Sequence, residues 1–140
     1  MTFISFFVKI QITGRIVIIM MRLDKMLAHS GYGTRKKVKE YIRSNNINNM
    51  IIPAGVTSIE VWAFYECKSL TSVVISNSVT SIGERAFSGC SSLTSVVIPD
   101  SVTSIGAFAF FLCIRLTIKG KKGSYAETYA MKNKIPFIAI

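Results

Sequence analysis

The sequence predicts an α+β fold: a short solenoid of 23-residue units with a parallel sheet along one face, a two-helix segment before it and a capping helix after it. Three observations predict this fold. Apolar residues recur at a fixed spacing, a strand-like segment occurs once in each unit, and a helix-capping pattern follows the last unit. The expected segments are an apolar leader at 1–20, the two helices at 21–47, the repeats at 48–120 and the C-terminal cap at 121–140.

The repeat is most visible where SVTSIGERAFSGC, residues 78–90, is followed by SVTSIGAFAFFLC, residues 101–113. The three cysteines give the period directly, because 90 − 67 = 23 and 113 − 90 = 23. This period lies inside the range of about 20 to 29 residues that leucine-rich repeats show. Six columns keep it over three copies: Val56, Val79 and Val102; Ile59, Ile82 and Ile105; Ala63, Ala86 and Ala109; Phe64, Phe87 and Phe110; Cys67, Cys90 and Cys113; Leu70, Leu93 and Leu116.

Each unit contains a short strand, written LTSVVI in the second and third copies. The alternation places Val73 and Ile75 inward and Ser72 and Val74 outward, and successive strands stack as a parallel sheet at about 4.8 Å per turn. In the last unit LTSVVI becomes LTIKG, which we interpret as a loss of two residues where the array ends. The expected inward pairs are Met50/Ile52, Val73/Ile75, Val96/Ile98 and Leu116/Ile118.

After each strand a turn leads into AFxxC, which returns the chain along the other side with Phe and Cys pointing into the stack. The cysteine count of three is odd, and the spacing leaves a disulfide or a thiolate metal site open. The alternation of this column with Phe and Leu columns favours buried, unmodified thiols that act as small hydrophobic groups.

The C-terminal segment predicts a cap for the array. Ser124 with Glu127 three residues later forms a capping-box pattern, and the helix it opens is expected to end near Asn133 with Tyr125 and Tyr129 on one face. The final residues FIAI are expected to pair as a last strand.

The last repeat is unusually apolar, and we expect the capping helix to cover this surface in preference to a ligand. Its apolar residues are Phe108, Phe111, Leu112 and Ile114, where the preceding copy has Arg85, Ser88, Gly89 and Ser91.

Two interpretations of residues 1–20 remain open: a β-hairpin that turns at Thr13-Gly14, or translated sequence upstream of a start at Met20 or Met21. Lys9 and Arg15 interrupt the apolar runs, so no membrane span is predicted, and the order of charges fits a secretory signal poorly. The sequence leaves the compartment undetermined.

Residues 21–47 predict two short helices, and the second has a basic face formed by Arg35, Lys36, Lys39 and Arg43. A solvated helix face and a phosphate-binding surface both fit this pattern. The segment, with Arg22-Leu23-Asp24-Lys25 and Thr34-Arg35, resembles the first half of the S-four RNA-binding module of ribosomal RNA pseudouridine synthases. The resemblance implies that the four basic residues contact RNA. It implies no isomerase activity, because the sequence has no space for the catalytic domain of that family.

Residues 50–140 resemble the BspA-like leucine-rich repeat family. The characteristic motif of that family, IPDSVTSIGERAFSGCSSLTSVVIP, is present here with few changes. The resemblance implies a solenoid used for adhesion or protein binding, often at the surface of bacteria or protists. It names no partner and no oligomeric state.

The residues give no support to an enzyme, a metal site or a cofactor. His29 has no acidic partner at a telling spacing, the seven carboxylates form no motif pair, and no phosphate-binding glycine loop is present. Net charges of +7 for residues 1–50, −2 for 51–114 and +5 for 115–140 sum to +10, so any attraction to nucleic acid belongs to the ends.

The expected function is therefore binding of a protein partner, with RNA binding through Arg35, Lys36, Lys39 and Arg43 as the alternative. In leucine-rich repeat proteins the sheet face is concave, and its outward positions here include an exposed β-branched stripe. The candidate partner-binding residues are Ile51, Val74, Val97, Ser72 and Ser95.

Overall fold

A computed structural model describes the chain at residues 9–11, 16–18, 46–52 and 54–140. The two helices expected within 21–47 lie outside the described residues. The described elements are β1 (Lys9–Gln11), β2 (Ile16–Ile18), β3 (Asn49–Ile52), β4 (Ser58–Ile59), β5 (Ser72–Ile75), β6 (Ser81–Ile82), β7 (Ser95–Val97), β8 (Ser104–Ile105), β9 (Thr117–Gly120), α1 (Tyr125–Lys132) and β10 (Phe137–Ala139).

The described turns stack as a parallel solenoid, as the period predicts. The larger sheet has the strand order β1-β2-β3-β5-β7-β9-β10, and a smaller sheet has the order β4-β6-β8. From β2 to β10 every neighbouring pair in the larger sheet is parallel. From β3 to β5 and from β5 to β7 the register advances by one repeat, so that Ser72 pairs with Ser95 and Val74 with Val97. Equivalent residues of successive turns therefore lie side by side.

β1 and β2 pair antiparallel, with Lys9 opposite Ile18, as a hairpin at Thr13-Gly14 predicts. Residues 12–15 between them lie outside the described residues. β2 then pairs parallel with β3, and Ile18 takes the register position of Ile51. The larger sheet thus extends beyond the repeats at its N-terminal edge.

The returning segments form a third ladder of backbone hydrogen bonds, which we call the return ladder. Alternate N–H groups of one return segment donate to carbonyls of the next, as from Phe64 to Ala86 (2.7 Å) and from Phe87 to Ala109 (2.8 Å). Gly83 lies at the corner that leads into one such segment, where a Cβ atom would come within 2.5 Å of the Val61 nitrogen. Only glycine fits this corner without displacing the backbone of the neighbouring turn.

The core consists of the repeated columns, which face inward from all three ladders. Phe87 stacks on Phe64 at a ring-centroid distance of 5.1 Å and on Phe110 at 5.2 Å, and it has no exposed surface. The valine, isoleucine, alanine, cysteine and leucine columns are buried in every described copy. Each turn therefore covers the apolar side of its neighbour, which a single 23-residue unit cannot do alone.

The register of the last turn corrects one expectation. Thr117 pairs with Ser95 and Ile118 with Val96, so the inward pair of β9 is Ile118/Gly120 and not Leu116/Ile118. Leu116 is buried in the leucine column before the strand, and only one residue is missing from this turn. At Gly120 a Cβ atom would come within 2.9 Å of the Ile98 carbonyl oxygen, so glycine allows the close approach of the preceding turn.

The cap consists of α1 and β10. Ser124 is the N-cap and its Oγ accepts a hydrogen bond from the Glu127 N–H, which confirms the predicted start of the helix. Residues FIAI supply β10, which pairs parallel with β9. The buried face of α1 is formed by Ala126 and Ala130, whereas Tyr125 is exposed.

A second correction concerns the apolar residues of the last repeat, which α1 does not cover. Phe108, Phe111, Leu112 and Ile114 are 52%, 51%, 57% and 80% exposed, respectively. α1 has only eight residues and packs through its alanines against β9. The aromatic side chain of α1 that contacts the last return segment is Tyr129.

Candidate protein-binding surface

The larger sheet has one face on the core and one face directed away from it, which we call the outer sheet face. Strand periodicity places every second side chain on this face. The polar column of the face contains Asn49, Ser72, Ser95 and Thr117, and the apolar column contains Ile51, Val74, Val97 and Lys119.

The apolar column is the part of this face that is expected to bind. Val74 is 41% exposed, while Ile51 and Val97 are half-buried by their neighbours in the column. These three side chains are β-branched, so their positions are fixed by the strand and little side-chain entropy would be lost on binding.

Two residues that the sequence reasoning missed lengthen this column. Lys119 pairs with Val97, and Ile138 of β10 pairs with Lys119 and is 49% exposed. The row from Ile51 to Ile138 therefore crosses five strands, a distance of about 19 Å at ~4.8 Å per strand. The feature of the sequence that could have indicated this extension is the strand-like segment FIAI. Once it pairs parallel with β9, it continues the outer sheet face beyond the last repeat.

The polar column is partly occupied by bonds between turns. The Ser72 hydroxyl donates to Asn49 Oδ1 at 2.7 Å, and Thr71 Oγ1 donates to the same oxygen at 3.2 Å. These bonds hold adjacent strands together and leave fewer groups free for a partner. The apolar column is thus the better candidate for contact, with Ser95 at its edge.

The three cysteines lie in the core and are poorly suited to act as nucleophiles or metal ligands. All three are free thiols in the core, and Cys90 and Cys113 donate to the carbonyls of Phe64 and Phe87, each at 3.1 Å. The pKa of Cys90 is raised far above its ordinary value, first by its hydrogen bond to the Cys113 thiol and then by burial. A thiol that stays protonated is a poor nucleophile and a poor metal ligand.

Within residues 46–52 and 54–140, no cluster of three or more His, Cys, Asp and Glu side chains could hold a metal ion. In the same part of the chain, no helix combines the length and the apolar character that crossing a membrane requires. Arg35, Lys36, Lys39 and Arg43 lie outside the described residues, so their predicted RNA contacts remain a prediction.

The family model for the BspA type leucine rich repeat region matches residues 37–133 in six copies. The chain belongs to this BspA-type family. The match begins within the segment 21–47, and the resemblance of that segment to the S-four module finds no support in the comparisons. No curated protein matches the sequence significantly.

Two solved structures are similar to this BspA-type chain. A leucine rich cell surface protein from Faecalibacterium prausnitzii is 41% identical over 59% of the chain, with a TM-score of 0.52. The leucine rich repeat protein of T. pallidum is 22% identical over 96% of the chain, also with a TM-score of 0.52. This similarity supports the fold and nothing further. The chain spans 22% of the first protein's length and 61% of the second's.

Proposed function

We propose that this chain is a non-catalytic protein-interaction module that binds its partner through the apolar column of the outer sheet face. The observation that carries the proposal is the continuous row formed by Ile51, Val74 and Val97, extended by Lys119 and Ile138. Apolar groups that are at least partly exposed, in a row that the fold holds rigid, are a feature of binding surfaces.

The stacking of the turns supports this proposal, because it places the row on a preorganised surface. Thr94 donates from its backbone N–H to the Thr71 carbonyl, and Thr117 does the same to Thr94, so each strand is fixed to the next. Binding to such a surface requires little ordering of the protein itself. The length of about 19 Å suits one extended segment or one strand of a partner.

We infer that adhesion is the form that this protein binding takes. The similar protein from Faecalibacterium prausnitzii is described as a cell surface protein, and it is 41% identical over the matched part of the chain. We infer that the present chain contributes a protein-binding surface to an adhesive array. A standard interface buries about 800 Å² on each partner, so a short array gains from repetition in several copies.

The test changes the middle of the apolar column. Immobilised wild-type protein is used to capture partners, which are identified and then measured individually by calorimetry. Val74→Asp combined with Val97→Asp is expected to weaken binding roughly thirtyfold or more, equivalent to about 2 kcal/mol, because two charges would be desolvated at the contact.

The matched control is Val74→Thr with Val97→Thr, which keeps the β-branched shape and tests whether added polarity alone matters. Circular dichroism of both variants is expected to match the wild type, because both positions lie on the outer face. A captured partner that binds the Asp variant with unchanged affinity, while the fold is intact, would refute the assigned surface.

A further inference from the structure

The C-terminal end of the return ladder exposes an apolar surface that the outer sheet face does not share. Phe111, Leu112 and Ile114 replace Ser88, Gly89 and Ser91 of the preceding turn and are more than half exposed. Their neighbour Phe108 is held against the Arg85 guanidinium, 5.2 Å from its ring centroid, and contacts Phe111 edge to face at 5.6 Å. Exposed apolar groups gathered at one place indicate an interaction surface.

The backbone at this end presents hydrogen-bond donors in ladder register. One turn earlier, the N–H groups of Arg85, Phe87 and Gly89 donate to the following turn at 3.0, 2.8 and 2.8 Å. The corresponding donors of the last turn are Phe108, Phe110 and Leu112, and among the described residues no carbonyl accepts from them. The ladder therefore stops with its donors directed outward.

α1 supplies an acceptor for only the middle one of these three donors. Burial raises the pKa of the Tyr129 phenol, and a backbone hydrogen bond from Phe110 partly opposes that effect. The rings of Tyr129 and Phe110 also meet edge to face at 6.0 Å. The N–H groups of Phe108 and Leu112, on either side, are left for another acceptor.

A groove of about 330 Å³ runs between the last return segment and the cap, and we call it the end groove. Its base is apolar, with Phe111, Leu112 and Ile114 on one side and Ile135 and Pro136 on the other. Lys134 is the basic residue that lines the groove. Arg115 follows Ile114 in sequence and is exposed, and residues 115–140 carry six Lys and Arg against one Glu.

We propose that the end groove binds an extended segment of a partner protein that carries both apolar side chains and carboxylates. Two backbone carbonyls of the segment accept from the N–H groups of Phe108 and Leu112, as the next turn of the ladder would. Its apolar side chains occupy the base of the groove, and its carboxylates face Lys134 and Arg115. This site is distinct from the outer sheet face.

The positive charge of residues 115–140 and the uncovered N–H groups of Phe108 and Leu112 disfavour two other occupants of the end groove. A second copy that docked through the same end would bring like charges together, because residues 115–140 carry a net charge of +5. A bilayer interior offers no acceptors for the N–H groups of Phe108 and Leu112, which would be costly to bury there. A peptide with carbonyls and carboxylates satisfies both requirements.

The probe is a fluorescent octapeptide that alternates valine or leucine with glutamate, and the comparison peptide replaces each glutamate with lysine. The full chain is expected to bind the acidic peptide at least about tenfold more tightly than the basic one, and less tightly as salt is raised. Hydrogen exchange at the amides of Phe108 and Leu112 is expected to slow when the acidic peptide binds.

The decisive variant combines Phe111→Ser, Leu112→Gly and Ile114→Ser, which are the residues of the preceding turn at the same positions. It is expected to lose at least about tenfold in affinity and to remain folded, because Gly89 already has the positive φ of 78° that Leu112 adopts at 62°. Met131→Ser is the matched control, since Met131 is 72% exposed and does not line the groove.

Four results would overturn the proposal. They are no binding of the acidic peptide, equal binding of both peptides, unchanged binding by the triple variant, and loss of peptide binding in the Val74→Asp/Val97→Asp protein. Binding of phosphatidylserine-containing vesicles that the triple variant abolishes would assign the groove to a membrane surface instead. A dimer that the triple variant converts to a monomer would assign it to a second copy.

Discussion

Phe87 lies between the rings of Phe64 and Phe110 in the centre of the solenoid, and its side chain has no exposed surface. The two contacts join three successive turns through one column of side chains. Phe111 is also a phenylalanine of the return ladder, but it is 51% exposed. The pair allows the same substitution to be compared inside and outside the stack.

Phe87→Ala is expected to lower the free energy of unfolding by about 3–5 kcal/mol, because it removes a buried ring and leaves a cavity between two others. Phe111→Ala is expected to change it by less than about 1 kcal/mol. Urea unfolding followed by circular dichroism measures both. Equal effects of the two substitutions would contradict the stacked core.

The residues that the sequence placed correctly are those whose environment repeats. Columns such as Cys67, Cys90 and Cys113 point into the stack in every turn, so spacing alone predicts that they are buried. Phe108 and Leu112 have no following turn, and their exposure depends on how far the cap reaches. The local sequence pattern of a repeat does not indicate how far the cap extends over the last turn.

At the scale of the element, α1 and β10 cap the larger sheet but leave the return ladder open. β10 pairs with β9 along Phe137–Ala139, and the Ile118 N–H donates to the Pro136 carbonyl at 2.8 Å. The sequence predicted both elements from the capping box and the FIAI strand. It could not predict the register of β9, because the missing residue lies between two buried positions, Leu116 and Ile118, that suit either register.

The N-cap of α1 gives a test of the cap as an element. Ser124→Ala removes the oxygen that accepts from the Glu127 N–H and is expected to lower the free energy of unfolding by about 1 kcal/mol. Ser124→Asp retains an acceptor and is expected to lose less than half as much. Thermal unfolding measures both variants, and equal losses would show that the cap hydrogen bond is not what stabilises the start of α1.

At the scale of the whole molecule, function follows from repetition. Stacked turns place one residue of each strand in a row, so that Ile51, Val74 and Val97 form a continuous surface although they are 23 residues apart in sequence. The sequence predicted this row. It missed the extension through Lys119 and Ile138, because that part depends on the shortened last turn and on the pairing of β10.

The most direct test of the account is the register of the larger sheet in solution. With cysteines placed at Val74 and Val97, a short bifunctional thiol reagent is expected to link the two rapidly, because they are direct neighbours on paired strands. The native thiols are buried and do not compete. The control places cysteines at Ser72 and Val97, which share the outer face but lie diagonally across the strands. Faster cross-linking of 74–97 than of 72–97 is the predicted result. Equal rates, or the reverse order, would contradict the stack of turns on which both proposed binding surfaces depend.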